Sequence, residues 1–331
     1  MWKFFTTREY FLWAWIGGFT ILTSIWATVQ IDVEINRIFG GLYDILQKAL
    51  TEPNAVTEAE FYAPFFEFAG YAAVYVVLAV IFNGFLVNHY CFRWRKCITE
   101  YYQDHWDDAR SIEGASQRVQ EDCYRLSRLV SNLGLSMIES VLMLIAFIPI
   151  LWELSANVKY IPFIGEVDRG LMWACLMMAI IGTGLLSLVG AKLPGIEFDI
   201  QKEEAAYRKQ LVKAEDIIEE IDQQKFNSLF DRVRSIHYYS YLHYFYFSIT
   251  KFSFLQGMVI FPYLIMGPTI ISAGITLGVV SQTVRAFGKV SESMQYIIRG
   301  WLEIVELISV YKRLRGFEKR FILNSKETVH V

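Results

Sequence analysis

The chain is poor in the residues that announce soluble chemistry. Its four cysteines, Cys91, Cys97, Cys123 and Cys175, form no CxxC pair and have no histidine at metal-ligand spacing. That argues against a metal site and against a disulfide framework. Three of the four lie in or beside segments expected in the cytoplasm, where thiols stay reduced. Neither sign of charge dominates: 31 Lys and Arg stand against 34 Asp and Glu, a net charge of −3, so no basic field invites nucleic acid. A GxxxxGK(S/T) loop to cradle phosphates is missing, and eleven residues follow Arg320. If ATP drives this protein, another chain is expected to supply it. Internal repeats and low-complexity tracts are missing too. No small-residue cleavage site follows the first apolar run, which is therefore expected to be retained as a helix.

Apolar residues are plentiful. They make up 54% of the 331 positions, 16% are aromatic, and the mean hydropathy is +0.31. They also come in blocks long enough to cross a bilayer. The expected class is all-α and polytopic, with six transmembrane helices at about 10–29, 64–87, 133–154, 170–193, 238–262 and 263–287. Between the first two, Glu52-Pro53-Asn54 reads as a turn joining two short helical pieces. The sixth is broken by Gly267-Pro268 and again by Gly274. Two long polar loops, 88–132 and 194–237, and a helix over 290–318 complete a single membrane domain spanning 1–318, with a short tail at 319–331. Lys and Arg concentrate in those loops and the C-terminal part. By the positive-inside rule both loops and both termini are cytoplasmic.

The second loop opens with an abrupt change of character. Lys192 and Pro194-Gly195 end an apolar run, and Glu197, Gln201, Glu204, Arg208 and Leu211 then recur at spacings of three and four, sharing one helix face. Either something polar is handled at a membrane mouth, or two cytoplasmic helices are pinned together.

Six spans with two long helical loops match the plan of an ABC-exporter membrane domain. Ile112–Leu126, IEGASQRVQEDCYRL, resembles the first cytoplasmic loop of that superfamily's peroxisomal fatty-acid branch. EAAYRKQL (204–211) and GITLGVVSQTVRAFGKV (274–290) resemble its second loop and its last helix. Four phrases sharpen the likeness: NHYCFRWRKCITEYYQDHW (88–106), IEGASQRVQED (112–122), LPGIEFDIQKEEAAYRK (193–209) and VELISVYKRLRGFE (305–318). On these the chain, over about residues 5–318, resembles the SbmA/BacA family of bacterial inner-membrane peptide transporters. Known members begin with an additional N-terminal membrane segment, whereas this sequence starts at the first exporter-like helix.

The resemblance implies a homodimer in the inner membrane with a central cavity that opens to one side at a time. It implies uptake of peptides (microcins, proline-rich antimicrobial peptides, bleomycin-like glycopeptides) driven by the proton gradient, with no cofactor and no enzymatic activity. The rivals are the membrane subunit of an ABC transporter with a separate ATPase, and a non-transporting envelope or lipid-remodelling protein.

A proton-driven transporter needs carboxylates whose protonation changes with burial. Those expected to serve are Glu197, Glu203 and Glu204 in the second loop, Glu113, Glu121 and Asp122 in the first, and Glu139 inside the third span. Glu197 and Glu204 share a face just below the membrane exit. Glu113 and Glu121 could instead pair with Arg118 or Arg125 and brace two helices. Lys251 lies roughly 20 Å into the fifth span and Glu139 roughly 10 Å into the third; both a direct pair and cavity water remain open for them. Tyr207, Tyr241, Tyr244 and His243 could line a peptide path, or could be packing and an interfacial aromatic belt. The amphipathic helix from Val290 is expected to make a dimer contact.

Overall fold

The computed structural model describes residues 3–110, 112, 115–162, 164–216, 222–272 and 274–328. It is almost entirely helical: α1 (Lys3–Thr6), α2 (Arg8–Thr51), α3 (Glu58–Asp104), α4 (Trp106–Ala109), α5 (Ala115–Ser155), α6 (Gly170–Gly190), α7 (Leu193–Asp216), α8 (Gln223–Ile271), α9 (Leu277–Arg299) and α10 (Trp301–Thr328). A two-residue hairpin, β1 (Tyr160–Ile161) with β2 (Gly165–Glu166), joins α5 to α6. Among the described residues five helical stretches are long and apolar enough to cross a membrane: Arg8–Thr51, Glu58–Asp104, Ala115–Ser155, Gly170–Ala214 and Gln223–Ile271. Each far exceeds the roughly 20 residues a bilayer requires, so its polar ends project beyond the apolar layer.

Two helix boundaries differ from the sequence expectation. α8 runs unbroken through Pro262 and Pro268, and the turn comes afterwards, around Ser272–Thr276. A proline removes one backbone donor, a loss that a long apolar helix with packed neighbours tolerates. The helix stops where the Ser272 amide and hydroxyl turn back to Pro268 and Thr269. The stretch 263–287 is therefore divided between two helices. The helix expected to run on from Val290 is likewise interrupted, at Gly300.

The chain divides into two compact units, Met1–Cys175 with Pro262–Val331, and Leu176–Phe261. In the first, α9 lies along α2 and α5. Its start is held from α2: the Leu277 amide donates to Gln47 Oε1 at 2.7 Å and the Gly278 amide to Asp44 Oδ1 at 2.9 Å. A helix leaves its first amides without partners, and a carboxylate there also meets the positive end of the helix dipole. Thr276 Oγ1 accepts from the Val279 amide at 3.3 Å as the helix's own cap. Glycine permits the approach, since a Cβ at Gly278 would overlap the Gly40 carbonyl and Asp44, and one at Gly40 would overlap Gln282. At the far end the Tyr296 hydroxyl donates to the Leu133 carbonyl at 3.1 Å. α2 is joined to α3 by Arg37, whose Nη2 lies 2.6 Å from Glu67.

α10 folds back on its own chain. Val310, Leu314 and Phe317 are buried with Ile98, Tyr102 and Leu126. Beside them the buried Asp122 receives Arg118 at 2.9 Å and Arg313 at 2.8 Å, and Tyr102 donates to Glu318 at 3.0 Å. The apolar residues of α10 packed here against α3 and α5 are Val310, Leu314 and Phe317, while Ile308 stays 47% exposed.

The second unit is a long antiparallel hairpin. Contacts from α6–α7 to α8 run Gly182–Phe254, Gly190–Phe247, Glu204–His237 and Tyr207–Phe230, descending one arm as they climb the other. Phenyl rings sit where Gly182 and Gly190 leave room.

Gly278→Val is expected to lower the unfolding temperature of detergent-purified protein by several degrees, because backbone on α2 cannot yield. Gly288→Ala, which meets nothing within 4 Å, is expected to be neutral or slightly stabilising by up to about 1 kcal/mol.

Candidate functional site

The close approach of α2 and α9 places two polar pairs face to face. Asp32 and Asn36 are one turn apart on α2, and Arg285 and Lys289 are one turn apart on α9. Lys289 Nζ lies 2.9 Å from Asp32 Oδ1, with Asp32 only 13% exposed. Arg285 stacks on Phe39, its Cζ 4.2 Å from the ring centroid, and Asp32 and Tyr43 act on its charge. Its Nε is buried without a hydrogen-bond partner, as is Asn36 Oδ1.

Glu139 joins from α5. It occupies an exposed position on an apolar helix, and the charges acting on it are Lys289 and Asp32. Tyr75 of α3 is reached by both carboxylates. For Glu139 the sequence leaves both a direct pair with Lys251 and cavity water open; the cation whose charge reaches it in the structure is Lys289. Lys289 thus pairs with Asp32 while its charge also reaches Glu139, with a second cation and unmatched polar atoms alongside. Ionisable groups at such depth are expensive to keep unless they face water or one another.

The remaining expected residues fall in two places. On the first loop, Glu121 accepts from Gln117 Nε2 at 3.0 Å and from Arg125 Nη2 at 2.6 Å. Arg125 also reaches Glu306 of α10 at 3.5 Å. The Gln117 amide, and then the Arg125 guanidinium, hold the Glu121 carboxyl below the usual carboxylate range. Its ion pair with Arg125, which also reaches α10, has the geometry of a brace. Asp122 is clamped in the same way by two arginines. Glu113 lies outside the described residues.

On the hairpin, Glu204 is exposed, with Oε1 3.2 Å from His237 Nε2. Glu197 is half-buried and its charge reaches Tyr244. Glu203 is half-buried. Tyr207 packs its ring 5.6 Å from that of Phe230. His243 sits 4.3 Å from the Tyr239 ring, with Nδ1 3.1 Å from the Tyr239 carbonyl. Tyr241 is 60% exposed, and Lys251 Nζ lies 5.9 Å from the Phe252 ring. No group of three or more His, Cys, Asp or Glu among the described residues could hold a metal ion.

Sequence inspection passed over Asp32, Arg285 and Lys289. Asp32 falls just beyond the first apolar run, and Arg285 and Lys289 straddle the expected end of the sixth. The available signal was the i,i+4 pairing of Asp32 with Asn36 and of Arg285 with Lys289.

Over residues 7–322 the sequence matches the model of the SbmA/BacA-like family. The chain belongs to that family. It is also similar to the inner membrane ABC transporter ATP-binding protein YddA of Escherichia coli (strain K12), 23% identical over 90% of this chain and 56% of that protein. An uncharacterized ABC transporter ATP-binding protein of Haemophilus influenzae is 22% identical over 91% of this chain and 53% of its own length. The chain thus spans about half the length of these curated relatives. Family membership and these relatives support a membrane transporter, and the five long apolar helices make the family member multi-pass.

Lys289→Met is expected to destabilise the purified protein by roughly 0.5–3 kcal/mol, because Asp32 loses its partner. Adding Asp32→Asn should recover most of that loss in thermal unfolding, since removing both charges leaves none uncompensated.

Proposed function

We propose that the chain is a proton-gradient-driven peptide importer of the bacterial inner membrane, working as a homodimer by alternating access. The observation that carries this is the cluster on α2, α5 and α9, in which Lys289 is paired with Asp32 and its charge reaches Glu139. Protonating Glu139 when the cavity faces outward leaves Lys289 to Asp32 alone and tightens α2 against α9. Releasing the proton inward restores the competition. The basic loops and both termini face the cytoplasm. The homodimer is the assembly that resemblance to the SbmA/BacA family implies. Peptides of many sequences suit a wall of tyrosines such as Tyr241 and Tyr244, which offers stacking and hydroxyls without demanding one order of side chains.

The alternative is the membrane part of an ABC transporter served by a separate ATPase. It is favoured by the two relatives named as ATP-binding proteins, of which this chain covers about half.

Proteoliposomes with an imposed inward proton gradient and a labelled proline-rich peptide separate the two. Uptake without ATP, abolished in Glu139→Gln with peptide binding intact, is the expected outcome. Uptake only with ATP and an added ATPase would overturn proton coupling. Loss in Glu197→Gln plus Glu204→Gln, with Glu139→Gln active, would move the coupling to α7.

A further inference from the structure

Away from the charge cluster, a cavity of about 390 Å³ opens between α3 and α5. It lies where both helices pass from polar to apolar sequence, beside Asn88 and Cys91 on one and Ser131 and Asn132 on the other. Two arginines, Arg95 and Arg128, line it, and no acidic side chain does.

The charge pattern of these helices is selective. Lys96 has Glu100 at 3.3 Å, Arg118 has Asp122 and Arg125 has Glu121. Arg95 and Arg128 form no ion pair among the described residues. Arg95 is held in place by Tyr124, its Cζ 4.9 Å from the ring centroid. Among the described basic residues of these helices three lack a carboxylate: Arg93, which stacks on Trp13 with its Cζ 4.0 Å from the ring centroid, and Arg95 and Arg128, which both line the cavity. The lining adds side-chain amide donors from Asn88 and Asn132. A guanidinium fork matches the oxygens of a phosphate, and the volume falls within the range of small-ligand sites.

The setting decides between a free phosphate and a lipid. Phe92 lines the cavity and is 62% exposed, and Phe85, two helical turns nearer the apolar layer, is 65% exposed. Seven residues apart, they share one face of α3 and form an apolar track rising from the basic cavity into the membrane. A headgroup bound at Arg95 and Arg128 would have its acyl chain along that track. Basic pockets between helices on the cytoplasmic side are where anionic headgroups bind.

We propose that the cavity between α3 and α5 is a binding site for the phosphodiester headgroup of an anionic phospholipid, held by Arg95 and Arg128. The site is independent of the transported substrate and of how transport is driven.

The test uses the full chain purified in a neutral detergent, with added phosphatidylglycerol, phosphatidylcholine or soluble glycerol 3-phosphate. Binding is read by native mass spectrometry and by the shift in unfolding temperature. Phosphatidylglycerol is expected to bind and stabilise, and phosphatidylcholine is not. Arg128→Gln should weaken phosphatidylglycerol binding about fivefold or more, the worth of one basic residue at an anionic surface. Arg110→Gln, an exposed residue paired with Asp107, should leave it unchanged. Arg95→Gln should act like Arg128→Gln; if loss of the Tyr124 stacking prevents folding, the exposed Arg128 decides alone. Equal binding of phosphatidylcholine, or wild-type affinity in Arg128→Gln, would overturn the site. Equal stabilisation by glycerol 3-phosphate would overturn its assignment to lipid.

Discussion

The contact between α2 and α9 at Gly40 and Gly278 organises the first unit of this protein. Two helices approach closely only where side chains are missing, and here both partners supply a glycine at the crossing. The approach brings Asp44 and Gln47 within hydrogen-bond distance of the first free amides of α9. Those amides would otherwise be unmatched in or near an apolar layer, where the loss of a hydrogen bond is hard to replace. The glycines and the captured amides reinforce each other, and together they set the register along the rest of α9.

Once that register is set, Arg285 and Lys289 must fall opposite Asn36 and Asp32. α9 is not apolar enough to be picked out as a spanning helix by composition, yet it lies against α5 and α2. A helix with two cations and buried Thr283, Ser291 and Gln295 can occupy such a place only if its neighbours offer polar groups, and Asp32 and Glu139 do so. Asp32 serves the fold by pairing with Lys289 of α9, and Glu139 suits the proposed transport by lying within reach of that lysine's charge. Where α10 packs on α5, Asp122 likewise takes two arginines from two elements.

Much of this was legible beforehand. Apolar blocks announced a polytopic helical protein, and the phrases in the two polar loops carried the family resemblance that the match over 7–322 bears out. Glu139 stood out as a lone acid in an apolar run. The end of α8 did not, because Pro262 looks like a terminator in sequence while a packed helix passes through it. Asp32 and Lys289 stayed hidden because each lies near the edge of an apolar run, where a charge reads as interfacial. Helices that continue well past those runs turned the edges into interior positions.

The one-dimensional order of apolar and charged residues by itself determined that the chain is helical and that it crosses a membrane repeatedly. Those properties depend on local composition and on the uniform demand of lipid for satisfied backbone groups. Which charges meet was decided by tertiary structure alone. Asp32, Glu139 and Lys289 are far apart in sequence, and their meeting depends on helix crossings set by small residues elsewhere. A hydropathy profile averages over such residues, whereas a packed interface responds to each of them.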